Sequence, residues 1–543
     1  MSRSIFNYVQ RPKLRRSVMD MSYQNSFTTR FGELVPVYFE DIVPTDKIRI
    51  SAAPFIRMDP FTAPIMGQID VNLYYFYVPY NIIWNKFEEF ITGGQDGTST
   101  PIVPFFPQKA ITNIFAGHPN LLFDYFRMYR TYYHVKDTGS HPYDGTYYCG
   151  PRCVGLLWRA YWKIIDDYFR DQNLSDSFFD DNQINYLSLD GGNIQTLPGF
   201  SGQFNGSNVF LPYFQNWKKD LFTSALPFAQ RGAPVSIPIG DGQEVQFRAG
   251  TDTDMGTYSV EAGTFSQSGI SGINLKTSAG PDMIGHLTTA SSVKSFNIND
   301  LREASAIQRF LEFNAIGGAR YKEQVAMHFG ANVKDYRLQR PEFLCGMKTP
   351  VLTSQVLQQS GTNSDSVLGT QGGYGIASGV MKPRTFFAEE HGCVIGLMSI
   401  TPRSQYSQGV ARQNLKFDKF DYFFPYFENL GEQAIYNAEL YAQGNDDDLK
   451  EFGYAPRYYE YKHRENEVHG MFKDVMSYWL PQRIFSEKPA LNADFISVNP
   501  EKEGSLNNIF AVQEGGQHQF QCVVHNSVRI SRPMSKYSLF KFA

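Results

Sequence analysis

The sequence is poor in cysteine, carries little net charge and lacks any long apolar run. Five cysteines among 543 residues, an odd number, exclude a scaffold built on disulfides. A formal net charge of −4 excludes the uniformly basic character of a protein that coats nucleic acid by itself. No run approaches the roughly 18 apolar residues of a membrane-spanning helix. The first residues, MSRSIFNYVQRPKLRR, contain no apolar core of a signal peptide, so we expect a protein that stays in a cytoplasm until lysis.

Signatures of catalysis are missing as well. The sequence has no G-x-S-x-G, no H-E-x-x-H and no phosphate-binding lysine loop. GGYGIASG (372–379) nearly matches the dinucleotide-binding pattern, but Ser378 stands in the third glycine position, and we interpret the segment as a flexible turn. Glu389 and Glu390 could form an acid–base pair, but adjacent strand residues point to opposite faces, which favours a structural role. These observations favour a protein that is not an enzyme and has no cofactor.

One group of residues leaves a metal site open as an alternative. Cys149 and Cys153 in CGPRC, with His134 and His141 upstream, could supply four zinc ligands. The C-x₃-C spacing differs from the usual C-x₂-C knuckle, so reduced thiols in a Gly-Pro turn are the favoured interpretation, with no metal.

The apolar residues, 42% of the chain, include an unusually aromatic stretch. Residues 69–73 alternate between apolar and polar as a half-buried strand does, but 74–84, YYFYVPYNIIW, is apolar on both faces. Because neighbouring strands follow without helices between them, antiparallel pairing is predicted, and a parallel sheet does not explain the second face. We expect Tyr75, Tyr77 and Trp84 to be mostly buried.

Strand patterns occupy both ends of the chain, at 32–92 and 385–525, and the early strands must pair with the late ones. CVIGLMSI (393–400) predicts a fully buried strand, and QFQCVVHNSVRIS alternates as a half-buried one. The pattern predicts a mainly β protein, a single eight-stranded antiparallel jelly roll with long, partly helical insertions. The predicted insertions are 93–235 with a helix near 158–174, a Gly/Ser-rich surface segment at 236–295, and helices and loops at 296–384.

Apolar periodicity predicts two main helices. In YWKIIDDYFRDQNL, the apolar residues from Tyr161 to Phe169 form one stripe. In NDLREASAIQRFLEFNAIGG, Asn299 or Asp300 could cap the helix, and Leu301, Ile307 and Phe310 are among the residues expected to face inward.

Both ends of the chain are basic, whereas the rest is acidic. A basic arm (1–31) and a basic tail (526–543) interleave cations with aromatic residues, which is typical of contact with single-stranded nucleic acid. The alternative is that both ends are simply solvated. The candidate nucleic-acid-binding residues are Arg11, Lys13, Arg15, Arg16, Arg529, Arg532, Lys536, Tyr537 and Phe540.

Several sequence blocks are similar, in their residues and in their order along the chain, to the sequence motifs of one protein family. They include YFQNWKKDLFTSALPFAQRG, ARYKEQVAMHFG, RLQRPEFLCG, EEHGCVIGLMSITPRSQYSQG and LGEQAIYNAELY. Together the blocks cover more than half the chain and resemble the major capsid protein of the Microviridae, in particular its gokushovirus-like branches. At Phe228 and Cys393 the chain has a different residue type from the one common in the family. Residues 95–156 and 236–295 match nothing in the family pattern.

The resemblance implies a T=1 icosahedral shell around a circular single-stranded DNA genome. It also implies a small basic DNA-associated protein and a pilot or minor capsid protein as partners, with host attachment to a cell-surface receptor through outer insertions such as 236–295. In a shell, an aromatic strand can bury one face in its own core and the rest against a neighbouring subunit. The candidate interface residues are therefore Tyr74, Tyr75, Phe76, Tyr77, Tyr80 and Trp84.

The sequence leaves two alternatives open. The basic ends could bridge acidic patches of neighbouring subunits instead of binding DNA. The chain could also be a carbohydrate-binding or carbohydrate-active β-sandwich protein, which as an enzyme would need two carboxylates roughly 5–10 Å apart in a cleft.

Overall fold

The structure is a computed structural model that describes most of the chain. The described residues are 15–106, 122–128, 153–178, 211–233, 298–318, 320–359, 361, 368–513 and 517–537, with four short strands between 245 and 289. They divide into two compact units, Met1–Ala229 with Gly317–Ala543, and Gln230–Ile316.

The described strands and α-helices are numbered in chain order. The strands are β1 (Ser17–Asp20), β2 (Tyr23–Thr29), β3 (Val35–Ile42), β4 (Lys47–Met58), β5 (Ile69–Pro79), β6 (Phe105–Phe106), β7 (Cys153–Val154), β8 (Val245–Arg248), β9 (Asn274–Leu275), β10 (Met283–Ile284), β11 (His286–Thr289), β12 (Glu342–Pro350), β13 (Leu352–Leu357), β14 (Gln371–Ser378), β15 (Arg384–Phe387), β16 (Gly392–Pro402), β17 (Glu432–Tyr436), β18 (Glu451–Pro456) and β19 (Phe520–Arg532). The helices are α1 (Phe87–Thr92), α2 (Leu122–Tyr125), α3 (Leu156–Ile164), α4 (Ile298–Gly317), α5 (Tyr321–Phe329), α6 (Asn437–Leu440) and α7 (Ala493–Ile496).

Two antiparallel sheets form the first unit's centre. The larger sheet has the order β1-β19-β4-β14-β13, with β2 also on β19 and β15 also on β4. The smaller sheet has the order β12-β5-β16-β3. The last strand, β19, pairs with the early strand β4 from Phe520 opposite Met58 to Ser531 opposite Lys47. The predicted pairing of early with late strands is therefore confirmed.

The main core lies between these two sheets. Odd-numbered residues of β5, such as Leu73 and Tyr75, pack in one cluster with Ile50 of β4 and Val524 of β19. β16 is buried along its whole length, and β19 alternates buried with exposed residues, as the sequence predicts. The fold is mainly β with antiparallel sheets, in the manner of a β-sandwich.

The second face of β5 is covered by a helix of the same chain. Phe76 and Val78 form a second cluster with Trp158, Tyr161 and Trp162 on α3. The aromatic stretch is therefore apolar on both faces because its strand lies between another sheet on one side and a helix on the other.

The predicted helices are present, but with different limits and exposure. α3 begins at Leu156 and continues as a π-helical turn to Phe169, after which Arg170 is extended, so the helix does not reach residue 174. In the second unit, the expected inward face of α4 is wrong, since Leu301, Ile307 and Phe310 are exposed. Apolar spacing identifies a stripe along a helix, but it does not say whether the same chain covers that stripe.

The interpretation of GGYGIASG as a flexible turn is also wrong, because these residues lie almost entirely in β14, which pairs with β13 and β4. Close packing explains the glycines. A Cβ at Gly375 would lie 2.7 Å from the sulfur of Met58, and one at Gly373 would lie 3.0 Å from the Cα of Pro64. Glycine here permits close approach of neighbouring segments rather than a turn.

Three of the four candidate zinc ligands, His134, His141 and Cys149, lie outside the described residues. Cys153, on β7, donates its thiol hydrogen to the carbonyl of Met128 at 2.7 Å. Within the described residues, no cluster of three or more His, Cys, Asp or Glu side chains is arranged to hold a metal ion. None of the described helices combines the length and apolar character that crossing a membrane requires.

Candidate interaction surfaces

Four of the six aromatic candidates of the 74–84 stretch are buried within the chain. Tyr75, Phe76, Tyr77 and Trp84 are at most 2% exposed, which confirms the expected burial of Tyr75, Tyr77 and Trp84. Burial raises the pKa of the Tyr75 phenol, which donates a hydrogen bond to the side-chain oxygen of Asn526 at 2.5 Å. Tyr77 donates to the carbonyl of Glu390 at 2.7 Å. These contacts join β5 to neighbouring parts of the same subunit.

Tyr74 and Tyr80 remain half-buried and partly accessible. The ring of Tyr74 meets Phe169 edge-on at 5.3 Å, and its hydroxyl accepts a hydrogen bond from Gln215 at 3.2 Å. The hydroxyl of Tyr80 donates to the carboxylate of Asp41, and its ring lies 5.2 Å from Phe87. Of the six candidates, these two have surface left for a neighbouring subunit.

The basic candidates fall into three groups. Arg11, Lys13 and Phe540 lie outside the described residues. Arg15, Arg16, Arg529, Lys536 and Tyr537 are exposed, and Arg16 also donates to the carbonyl of Thr45 at 2.6 Å. Arg532 forms the third group, because its guanidinium already has partners in the chain.

Arg532 is engaged by two carboxylates. Its guanidinium lies 3.0 Å from Glu40 and 3.0 Å from Asp46, with a side chain that is 13% exposed. Burial raises the pKa of Glu40, and the Arg532 charge opposes that rise. These ion pairs tie the end of β19 to β3 and to the turn that follows it, so Arg532 has less capacity for phosphate than Arg529.

The structure adds a basic surface that the terminal residues alone do not define, the exposed face of β4 and β19. Along β4, Lys47, Arg49, Phe55 and Arg57 are exposed, while the even-numbered residues from Ile48 to Met58 are buried. Arg529 of β19 lies directly opposite Arg49. Like charges at facing strand positions repel each other, and a bound anion would relieve that repulsion.

We call the residues Lys47, Arg49, Phe55, Arg57 and Arg529 the basic sheet face. The guanidinium of Arg57 lies 5.6 Å from the ring centroid of Phe55, so cations and an aromatic ring occur together. Asp20 faces Arg529 across the strand pair and reduces the local positive charge. The alternation of DKIRIS signals that Lys47 and Arg49 share a face, but the strand order that adds Arg529 cannot be read from the sequence.

A carbohydrate-active enzyme would need two carboxylates in a cleft, and a cavity of about 540 Å³ is lined by four glutamates, among them Glu439 and Glu465. Glu439 accepts hydrogen bonds from Arg412 at 3.1 Å, from the Tyr436 amide at 2.9 Å and from the Tyr459 hydroxyl. Glu465 accepts from the Leu221 amide at 2.7 Å. Burial raises the pKa of both carboxyl groups. Because both carboxylates are held by groups of the chain itself, their contacts indicate a structural role.

Comparison with known proteins identifies one family along nearly the whole chain. The family model described as "Capsid protein (F protein)" matches residues 7–541. Capsid protein VP1 of Bdellovibrio phage phiMH2K is 31% identical over 513 residues, covering 90% of this chain and 89% of the relative. Capsid protein VP1 of Chlamydia phage 1 is 30% identical, covering 98% and 97%. Capsid protein VP1 of Spiroplasma virus 4 is 28% identical, covering 89% and 87%.

Proposed function

Because this chain belongs to the capsid protein (F protein) family of the Microviridae, we propose that its copies assemble into a T=1 icosahedral shell around a circular single-stranded DNA genome. The chain is a structural protein of the phage virion and not an enzyme. The family match over residues 7–541 is the observation that carries this proposal.

The proposed architecture is a single eight-stranded jelly roll with long insertions; because the two sheets hold seven and four strands, three of these strands would be additions to the jelly roll. Its support is the pairing of the last strand, β19, with β4 and with β1 and β2 at the start of the chain. Jelly rolls place two antiparallel sheets face to face. The two sheets here share one buried cluster of side chains, as expected of sheets that face each other.

Genome contact is proposed for the basic sheet face and for the two basic ends of the chain. Support comes from Arg49 and Arg529 opposite each other, from Arg57 beside an exposed ring, and from the exposed Arg15, Arg16, Lys536 and Tyr537. Phosphates require cations, and unpaired bases stack on aromatic rings. Since the chain has a net charge of −4, a separate small basic protein is proposed to supply further counter-charge.

The remaining partners are proposed from the family and from composition. Tyr74 and Tyr80 are the residues of the aromatic stretch 74–84 proposed to contact a neighbouring subunit. The Gly/Ser-rich segment 236–295 is proposed to point outward and to contribute to host attachment through a surface receptor. A pilot or minor capsid protein completes the proposed particle.

A three-dimensional reconstruction of particles formed by the full chain tests this proposal. We expect closed shells of sixty copies, with the basic sheet face on the inner wall and residues 236–295 on the outer one. Discrete monomers, or a shell with the basic sheet face outside, would contradict it.

A further inference from the structure

One segment of the first unit presents an unusual number of large apolar side chains to solvent. We define the aromatic ridge as residues 416–430, KFDKFDYFFPYFENL. Its exposed apolar residues are Phe417, Phe420, Tyr422, Phe423, Phe424, Tyr426 and Leu430, with exposed fractions between 42% and 92%. Single exposed apolar residues are ordinary on a protein surface, but seven within fifteen residues of chain indicate an interaction site.

The ridge is held in a defined shape by its own polar groups. The carboxylate of Asp421 accepts hydrogen bonds from the amides of Phe417 and Asp418 at 3.0 and 2.9 Å. The carboxylate of Asp418 accepts from the amide of Lys419 at 2.6 Å. Two 3₁₀ turns, Lys419–Asp421 and Pro425–Phe427, follow from these and neighbouring contacts. The exposed rings are therefore carried on a folded segment.

The rings are also anchored to the body of the unit. Phe423 meets Tyr458 edge-on at 5.1 Å, and its ring centroid lies 6.3 Å from that of Tyr461. Lys416 forms an ion pair with Glu460 at 2.9 Å in which both side chains are nearly buried. An aromatic surface that is already ordered loses little conformational freedom on binding, which is a property of strong interface anchors.

The accessible area of the ridge matches what one partner contributes to a stable interface. At roughly 200 Å² for each large side chain, the exposed fractions leave on the order of 800 Å² accessible. A standard protein interface buries about 800 Å² on each partner. The ridge alone is therefore large enough to form most of one subunit contact.

We propose that the aromatic ridge is a contact between subunits and that its occupant is a second copy of this chain. The proposal rests on shell formation, in which every copy is surrounded by others. Charge argues against the genome as the occupant, because the ridge carries Asp418, Asp421 and Glu428 against Lys416 and Lys419. Carboxylates repel phosphate, whereas a nearly neutral aromatic surface suits another protein surface.

The first test replaces the most exposed apolar residues of the ridge, Phe417→Ser, Tyr426→Ser and Leu430→Ser, in the full chain. We expect the unfolding temperature of the unassembled chain to stay near that of the wild type, because these side chains have few contacts to lose. We expect the yield of shells, measured by sedimentation and negative-stain microscopy, to fall at least about tenfold.

A matched control removes equally exposed apolar residues elsewhere, Ile102→Ser, Val380→Ser and Val475→Ser. The control should form shells like the wild type. Shell formation by the wild type and the control reports on the function itself, so a defect confined to the ridge variant belongs to the ridge. A ridge variant that assembles as well as the control would overturn the proposal.

The second test is independent of stability. A photoreactive benzoylphenylalanine replaces Tyr426, the most exposed side chain of the ridge, and assembled particles are irradiated. We expect covalent dimers of the chain on a denaturing gel. Crosslinks only to DNA, only to a different protein, or only within one chain would each overturn the assignment of a second copy.

Discussion

At the residue scale, Arg483 shows how a fully buried charge is accommodated in the first unit. Its guanidinium lies over the rings of Phe495 and Trp217, with centroids at 4.3 and 4.9 Å. The guanidinium Nε lies 2.9 Å from the carboxylate of Glu503. Burial raises the pKa of Glu503, and the Arg483 charge opposes that rise. The two charges are stable in this position only as a pair.

Replacing Arg483 with Met should therefore lower the free energy of unfolding by about 3–5 kcal/mol near pH 7, because it leaves a buried carboxylate without its cation. Without Arg483, the folded-state pKa of Glu503 should rise further above its unfolded value. A group with a raised folded pKa favours folding below its unfolded pKa, and this contribution is lost as pH rises through the folded pKa. The deficit relative to the wild type should therefore shrink as the pH falls toward about 4.

Urea unfolding of the unassembled chain at several pH values measures this deficit. The control is Lys450→Met, which removes the exposed Lys450–Asp447 pair and should change stability by less than about 1 kcal/mol. An Arg483→Met deficit as small as the control's, or one that does not depend on pH, would contradict the role assigned to the pair.

At the element scale, β5 shows both the strength and the limit of reading a strand from sequence. Alternation correctly indicated β19, and the continuous apolar run indicated β16, because one face or both faces of those strands are buried. The sequence also showed that β5 is covered twice. It could not show that the cover is α3, because that contact joins residues far apart along the chain.

The same limit explains the elements that were misjudged. The glycines of β14 resemble a turn locally, and only the neighbouring Met58 and Pro64 explain why no side chain fits. The basic sheet face cannot be predicted from local sequence, because it requires Arg529 to lie opposite Arg49. That register is set by the pairing of the last strand with an early one. Local patterns therefore identified elements, whereas the candidate site depends on which elements meet.

Phe76 and Tyr74 lie on the same strand but differ in burial, so substitutions at the two positions should differ in their effect on folding stability. Phe76 is buried against Tyr168 and Phe343, with ring centroids at 4.8 and 5.5 Å. Phe76→Ala should therefore lower the free energy of unfolding by about 3–5 kcal/mol. Tyr74→Ala, at a half-buried position of the same strand, should cost less stability. Thermal unfolding of the unassembled variants measures the difference, and equal destabilisation by both changes would contradict this view of the strand.

At the scale of the whole molecule, positive and negative charges are concentrated in different regions of the chain. The chain as a whole is negative, yet its ends and the exposed face of β4 and β19 are positive. Single-stranded DNA carries one negative charge per nucleotide, so a shell of negative subunits cannot neutralise its contents. Most of the counter-charge must come from polyamines, metal ions or a separate basic protein, and the basic sheet face can act only locally.

If the basic sheet face binds DNA, the affinity of the chain for single-stranded DNA should depend on salt concentration through these residues. Arg49→Gln, Arg57→Gln and Arg529→Gln together should weaken binding of a single-stranded oligonucleotide to the full chain. Each lost phosphate contact removes about 0.7 from the slope of log affinity against log salt, so the slope should become shallower by about 2. The matched control, Lys382→Gln, Arg464→Gln and Lys473→Gln, removes the same charge from other exposed positions and should leave the slope unchanged. Equal slopes for the sheet-face and control variants would exclude the basic sheet face as a surface for DNA.

A second set of substitutions tests the N-terminal arm: Arg11→Gln, Lys13→Gln, Arg15→Gln and Arg16→Gln. Loss of DNA from intact shells would support contact between the arm and the genome. Failure to assemble, with or without DNA, would instead assign the arm to bridging between subunits.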